Sequence, residues 1–301
     1  MAARGRWGGL LLGLMLAGPS PAGERLVTLA PHLAELVCAV DGAGCPQLVG
    51  VVAWSDFPAA VRDKPVVGDA FAVNAEAVLA LRPTRVLSWA GGTSEATRQA
   101  LLRLGLRVEP VQAQSLARIP LALRELGVAL NRAAAGEAAA RQFEQTLETL
   151  RARHAGRPPV RVLYQLEAEP LFAIGRDSPI HEAMGVCGAV NVFADLDAAA
   201  APVAREAAVA AAPELILFGR RDDGPAIRAR WAPFAAVPAV RHGQLQAVDE
   251  DRLARYGPRL VEGIAELCGR VEAVRAAQPE RRQPTSSPPA PRSSTRAATN
   301  R

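Results

Sequence analysis

GEAAARQFEQTLETLRARH, residues 136–154, decides how the rest of the chain is read. Phe143, Leu147, Leu150 and His154 recur at i, i+4, i+7 and i+11, one face of a 3.6-residue period, and no glycine or proline interrupts the run after Gly136. Its alanine, glutamate, glutamine and arginine content favours a helix that needs only partial burial. At about 1.5 Å per residue, roughly 20 residues reach about 30 Å, the width of a small domain. Periodicity alone suits either a surface helix of one α/β domain or a bridge between two. The flanking sequence selects between them.

Before this helix, Leu26–Ala30, Gln47–Ala53, Arg85–Ser88 and Leu106–Val111 read as strands. They alternate with helical LAELVCAV, a helix at Ala75–Leu81 capped by Asn74, and another at Ser94–Leu104; VVGDAF suggests a further strand and its turn. After it, Val160–Leu166, Glu214–Phe218 and Gln244–Val248 are strand-like, with helices at Ile180–Val186, Glu206–Ala211 and Pro258–Ala276. The two halves also repeat. AEAVLALRPTRVLSW from Ala75 aligns with REAAVAAAPELILFG from Arg205, so that Glu206 stands 130 positions after Glu76 and Pro213 stands 130 after Pro83. Each copy is a short helix, a proline stop and an apolar strand. The repeat supports an α/β fold of two lobes, residues 23–134 and 157–277, joined by one long backbone helix at 135–156.

Composition sets the compartment. Arg4 and Arg6, the apolar GGLLLGLMLAG and the small residues Ser20-Pro21-Ala22 form a signal-peptide pattern over residues 1–22, with cleavage near Ala22 and no cysteine for a lipid anchor. The formal charge of +5 is matched by five arginines beyond Pro279, so the folded part is near neutral and nucleic acid is not an expected partner. Residues 278–301 are rich in Pro, Ser, Thr and Arg and read as a disordered basic tail. Four cysteines in an exported chain are expected to pair. Three connectivities are open, one of which closes a local Cys38–Cys45 loop and leaves Cys187 with Cys268.

Residues that announce chemistry are scarce. His32, His154, His181 and His242 show no metal-ligand spacing, and no nucleophile elbow, phosphate loop or zinc-helix motif occurs. We expect no enzyme, no cofactor and no metal site. The few aromatic residues are more informative. Trp54 follows the second strand, Trp89 ends a strand beside Gly91-Gly92, and Phe172 follows Pro170 in what reads as a loop. Strand ends facing a cleft are where α/β folds bind ligands. Asp251 and Arg255, four apart near the last strand, can face one direction and meet polar ligand groups; the Asp249–Asp251 acidic cluster otherwise reads as a solvated loop.

From Arg25 to Ala276 the sequence resembles the periplasmic cobalamin-binding proteins of ABC importers, within the class of receptors whose two lobes share one rigid helix. RLVTLAPHLAELVCAV, VGVVAWSDFPAAV, VNAEAVLALRPTRVLSWAGG, GVCGAVNVF, PVAREAAVAAAPELILFG and DEDRLARYGPRL carry the resemblance. It implies a monomeric periplasmic protein that captures a corrinoid and hands it to transmembrane permease subunits. It further implies that the lobes are Rossmann-like and that a ligand cleft between them is lined by Trp54, Trp89, Phe172, Asp251 and Arg255. Glu76 and Glu206 would be lobe-tip carboxylates that dock on permease arginines, and Cys187 would pair with Cys268, leaving Cys38 with Cys45. Two family tryptophans are replaced here, one by Ala70, beside which Phe71 can substitute, and one by the run Ala198–Ala201. Those losses imply a wider pocket. Tyr256 keeps a haem ligand open, since a tyrosinate can hold iron; a ferric siderophore receptor, a periplasmic enzyme using Asp249–Asp251 and a ligand-free adaptor are the other readings.

Overall fold

The computed structural model describes residues 23–277 apart from Ala43, Ala70 and Phe71. The expected signal peptide, the expected basic tail and Phe71 lie outside the described residues. The first lobe runs β1 (Leu26–Thr28), α1 (Pro31–Asp41), β2 (Leu48–Gly50), α2 (Ala75–Ala80), β3 (Arg85–Trp89), α3 (Glu95–Arg103), β4 (Val108–Val111) and α4 (Arg118–Ala129). Helix α5 (Ala133–His154) follows. The second lobe comprises β5 (Val160–Ala168), β6 (Leu171–Ile174), α6 (Pro179–Val186), β7 (Ala189–Asn191), β8 (Ala200–Pro202) and α7 (Arg205–Ala210). It continues through β9 (Leu215–Gly219), α8 (Gly224–Trp231), α9 (Pro238–Arg241), β10 (Leu245–Val248), α10 (Glu250–Leu253) and α11 (Leu260–Ala277).

Each lobe holds its own sheet. The first is parallel with order β2-β1-β3-β4. In the second, β10, β9 and β5 run parallel, while β6 and β8 continue the sheet antiparallel. Strand β5 is long enough for two partners on one edge: Val160–Val162 pair with β7, and Gln165–Ala168 pair with β6. Strands β1 and β9 are buried throughout, and β9 reads as a continuous apolar run, as a parallel strand covered on both faces does.

Helix α5 buries Gly136, Ala140, Phe143, Leu147, Leu150 and His154, the face the periodicity picks out, and begins three residues earlier than Gly136. It packs against α1 and α4 of the first lobe and α6 and α11 of the second, and one continuous core runs across all of them. Its contact with α4 is a glycine crossing. A Cβ built on Gly136 would lie 2.6 Å from the Leu123 carbonyl oxygen and 2.8 Å from Gly127 Cα, both backbone atoms. Gly136→Ala is expected to force the two helices apart and to lower stability by about 1–3 kcal/mol, read as a shift in the denaturant midpoint. Gly269→Ala, where nothing lies within 4 Å of the added carbon, is the control and should leave the midpoint unchanged or raise it.

The repeat extends into backbone detail. Helices α2 and α7 have six residues each and carry Glu76 and Glu206 in the first turn. Arg82 and Ala212, the residues before Pro83 and Pro213, both adopt left-handed conformations, with φ of 46° and 44°. The pre-proline clash with the α region accounts for these helices stopping where they do.

Several expectations are corrected. Helix α4 went unanticipated. VVGDAF contributes only isolated bridges, Val51 to Val66 and Gly68 to Val73. Phe172 sits in β6 instead of a loop, and the Asp249–Asp251 cluster opens α10, where the Asp249 side chain accepts a hydrogen bond from the Arg252 amide. The disulfides are Cys38–Cys45 and Cys187–Cys268, the pairing the resemblance implies.

Candidate ligand-binding cleft

A cleft of ≈ 570 Å³ opens between the lobes at the carboxyl ends of β3 and β5. His32 and Trp89 form the first-lobe wall, Leu166, Ile174 and Ala200 the opposite one, and Arg255 and Tyr256 also line it. Such strand ends collect ligands because loops of variable sequence converge there on a fixed frame.

Trp89 is placed by its own turn. The chain reverses so tightly at Gly91-Gly92 that a Cβ on Gly92 would collide with the six-membered ring of the indole. Its backbone N–H donates to Thr93 Oγ1 at 2.9 Å, which fixes the turn. The ring meets the His32 imidazole edge-on, with centroids 5.1 Å apart and planes at 84°. His32 follows Pro31 in the first turn of α1 and is only 5% exposed. Burial, and then the positive charge of Arg255, lower its pKa to about 4, so the imidazole is neutral near pH 7. Neither His32 Nε2 nor Trp89 Nε1, both buried, has a hydrogen-bond partner within the protein.

Arg255 belongs to an ion cluster that ties the lobes together beside the cleft. Its Nη1 donates to Asp56 Oδ1 of the first lobe at 2.8 Å, and its Nη2 to Asp251 Oδ1 at 2.6 Å. Arg259 grips Glu35 of α1 with two hydrogen bonds, at 3.0 and 2.6 Å, and its guanidinium lies 4.0 Å from the Phe57 ring centroid. Glu35, 4% exposed, also lies 3.6 Å from Arg255. Partial burial alone would raise the Asp56 carboxyl, but the Arg255 hydrogen bond and charge outweigh it and hold the pKa below the usual range. The stability Asp56 contributes is therefore present above the ordinary carboxylate range and is lost as acid protonates it.

Trp89 and Arg255 thus line the cleft. Asp251 stands behind, paired with Arg221 and Arg255. Phe172 is half-buried in β6 opposite Pro202, and Trp54 is 75% exposed on a left-handed turn with φ 67°; neither lines the cavity. Glu76 and Glu206 are exposed in the first turns of α2 and α7, one per lobe. Ala199 and Ala200 line the cleft with small side chains. Among the described residues, no group of three or more His, Cys, Asp or Glu side chains is placed to hold a metal ion. The spacing of the four histidines does not single out His32. Its signal was position, immediately after a parallel strand and a proline.

Two α/β lobes on one helix, with an aromatic wall and an arginine in the cleft between them, define a bilobed ligand-binding protein. The chain belongs to the family described as periplasmic binding protein, whose model matches residues 26–251. The vitamin B12-binding protein of Pectobacterium carotovorum subsp. carotovorum is 31% identical over 268 residues, covering 88% of this chain and 94% of that one. Among solved structures, the periplasmic vitamin B12 binding protein of Vibrio cholerae superposes with a TM-score of 0.75 at 28% identity, covering 84% of this chain and 98% of that one. A periplasmic heme-binding protein in complex with two hemes gives the same TM-score at 26% identity, with 84% and 99% covered.

Proposed function

We propose that this protein is exported to the periplasm through a cleaved signal peptide, captures a corrinoid, most specifically cobalamin, between its lobes, and delivers it as a monomer to the permease of an ABC importer. It performs no covalent chemistry. Residues 23–134 and 157–277 act as two stiff units on the helix at 135–156. The relatives named for vitamin B12 match nearly the whole chain, and the cleft offers what a wide, amide-fringed macrocycle needs: flat apolar contact from Trp89 and a charged donor fork from Arg255. Trp54 and Phe172 would add ring contact at the rim, and Phe71 is assigned the same role. Trp54 supports this by its own geometry, since a bulky, exposed ring on a left-handed backbone is costly and such strain gathers at ligand sites. Asp251 would act chiefly by aiming the Arg255 fork. Glu76 and Glu206, exposed on paired helices, are the docking carboxylates.

The haem alternative draws on the heme-binding neighbours and on Tyr256, which lines the cleft. Burial, then the charge and hydrogen bond of Glu182 at 3.4 Å, push the Tyr256 phenol well above its ordinary pKa. Ligating iron would cost the phenol its hydrogen bond to Glu182, and this favours the corrinoid. Protein purified under native conditions from cells supplied with both cobalamin and haem should carry a corrinoid, identified by its absorption bands and by mass spectrometry of the released ligand. Recovery of haem alone would reject the corrinoid reading, and recovery of no ligand would favour an adaptor.

A further inference from the structure

His32 is a buried imidazole on the cleft wall whose Nε2 pairs with nothing in the protein. Buried polar atoms are almost always partnered, so an exception in a binding cleft points to a group supplied from outside. The surroundings restrict what that group can be. Arg255 lies close enough to disfavour a second positive charge on the ring, and the pKa of about 4 leaves the imidazole neutral. A neutral imidazole is a common ligand to transition metals. Among the described residues no three side chains converge to hold a bare ion, but a tetrapyrrole brings four nitrogen donors of its own and needs only one from the protein.

We propose that His32 Nε2 is the axial nitrogen donor to the metal of the bound tetrapyrrole. This rests on the reading of the cleft as a corrinoid site. The step is a ligand substitution without redox change: a metal–nitrogen bond forms, a metal–water bond breaks, the water leaves, and no proton moves because the imidazole is already neutral. The Trp89 ring packs edge-on against the imidazole and its Nε1 is itself unpaired, so a small shift of the indole as the ligand seats breaks no hydrogen bond.

Aquocobalamin, whose upper axial water exchanges, is the probe. Mixed with wild-type protein, it should lose its water-bound absorption spectrum and acquire an imidazole-bound one, at one equivalent. The His32→Ala protein should bind the same probe by calorimetry, about tenfold more weakly, with the water-bound spectrum unchanged, and added free imidazole should restore the shift. His181→Ala, on α6, should behave as wild type. Heat of binding by the wild type with no spectral change would overturn His32 ligation while leaving the corrinoid reading intact. So would loss of the shift in His181→Ala. Absence of heat with aquocobalamin and with cyanocobalamin would instead overturn the corrinoid reading itself. The wild-type spectrum alone tests ligation, so the proposal stands or falls even if His32→Ala fails to fold.

Discussion

Reversing Glu76 and Glu206 to arginine together is expected to abolish uptake of the ligand in cells while leaving its affinity for the purified protein unchanged. Both carboxylates are exposed in the first turns of short helices that begin their copies of the repeat, one in each lobe. A carboxylate there relieves the positive end of its helix, worth about 0.3–1 kcal/mol, so each reversal carries a small cost in stability. Neither residue lines the cleft. Charges at the rim of a contact act mainly on encounter and orientation, and like charges facing each other there cost several kcal/mol. If permease arginines receive these carboxylates, as the proposed docking role requires, two reversals, one in each lobe, place arginine against arginine at both contacts. Single reversals should leave partial transport. If the double variant instead loses affinity for the ligand, or transports normally, the docking role is wrong.

Replacing Arg259 with alanine is expected to lower the free energy of unfolding by about 3–5 kcal/mol, the usual cost of stranding a buried charge. Glu35 is 4% exposed, and both its oxygens are held by Arg259. With Arg259 gone, Arg255 is the one cation paired with Glu35 among the described residues, at 3.6 Å, and it is already shared between Asp56 and Asp251. The variant also uncovers the Phe57 ring on which the guanidinium rests. Arg259→Lys should recover only part of the loss, because an ammonium cannot reproduce the two parallel hydrogen bonds. Glu35 and Arg259 come from opposite lobes, so the variant also reports on their coupling. A midpoint shift near zero in urea unfolding would show that solvent compensates and that the clasp does not hold the lobes.

The parts of this architecture that were legible in the sequence follow periodic or repeated signals. Helix α5 declared itself through Phe143, Leu147 and Leu150, and the paired units through Pro83 and Pro213. Helix α4 was hidden because RIPLALRELGVA contains Pro120 and Gly127. Pro120 is harmless in the first turn, where its missing N–H has no intrahelical partner to lose. Gly127 is there for tertiary reasons, to let Gly136 approach. Strand β8 is Ala200–Pro202, with no β-branched or aromatic residue, and forms only because β6 offers an antiparallel edge. In the cleft, Trp89 and Arg255 could be placed from their strand ends. His32 and the Glu35–Arg259 pair could not, since nothing local to Pro31–Asp41 shows which partners 224 positions away will face it.

Corrinoid capture is tested most directly by titrating the purified protein with cyanocobalamin and, separately, with haem, by calorimetry. We expect saturable heat at one equivalent of cyanocobalamin, because Trp89 and Arg255 suit its face and fringe and the Tyr256 hydroxyl is engaged by Glu182. Heat with haem alone would contradict it.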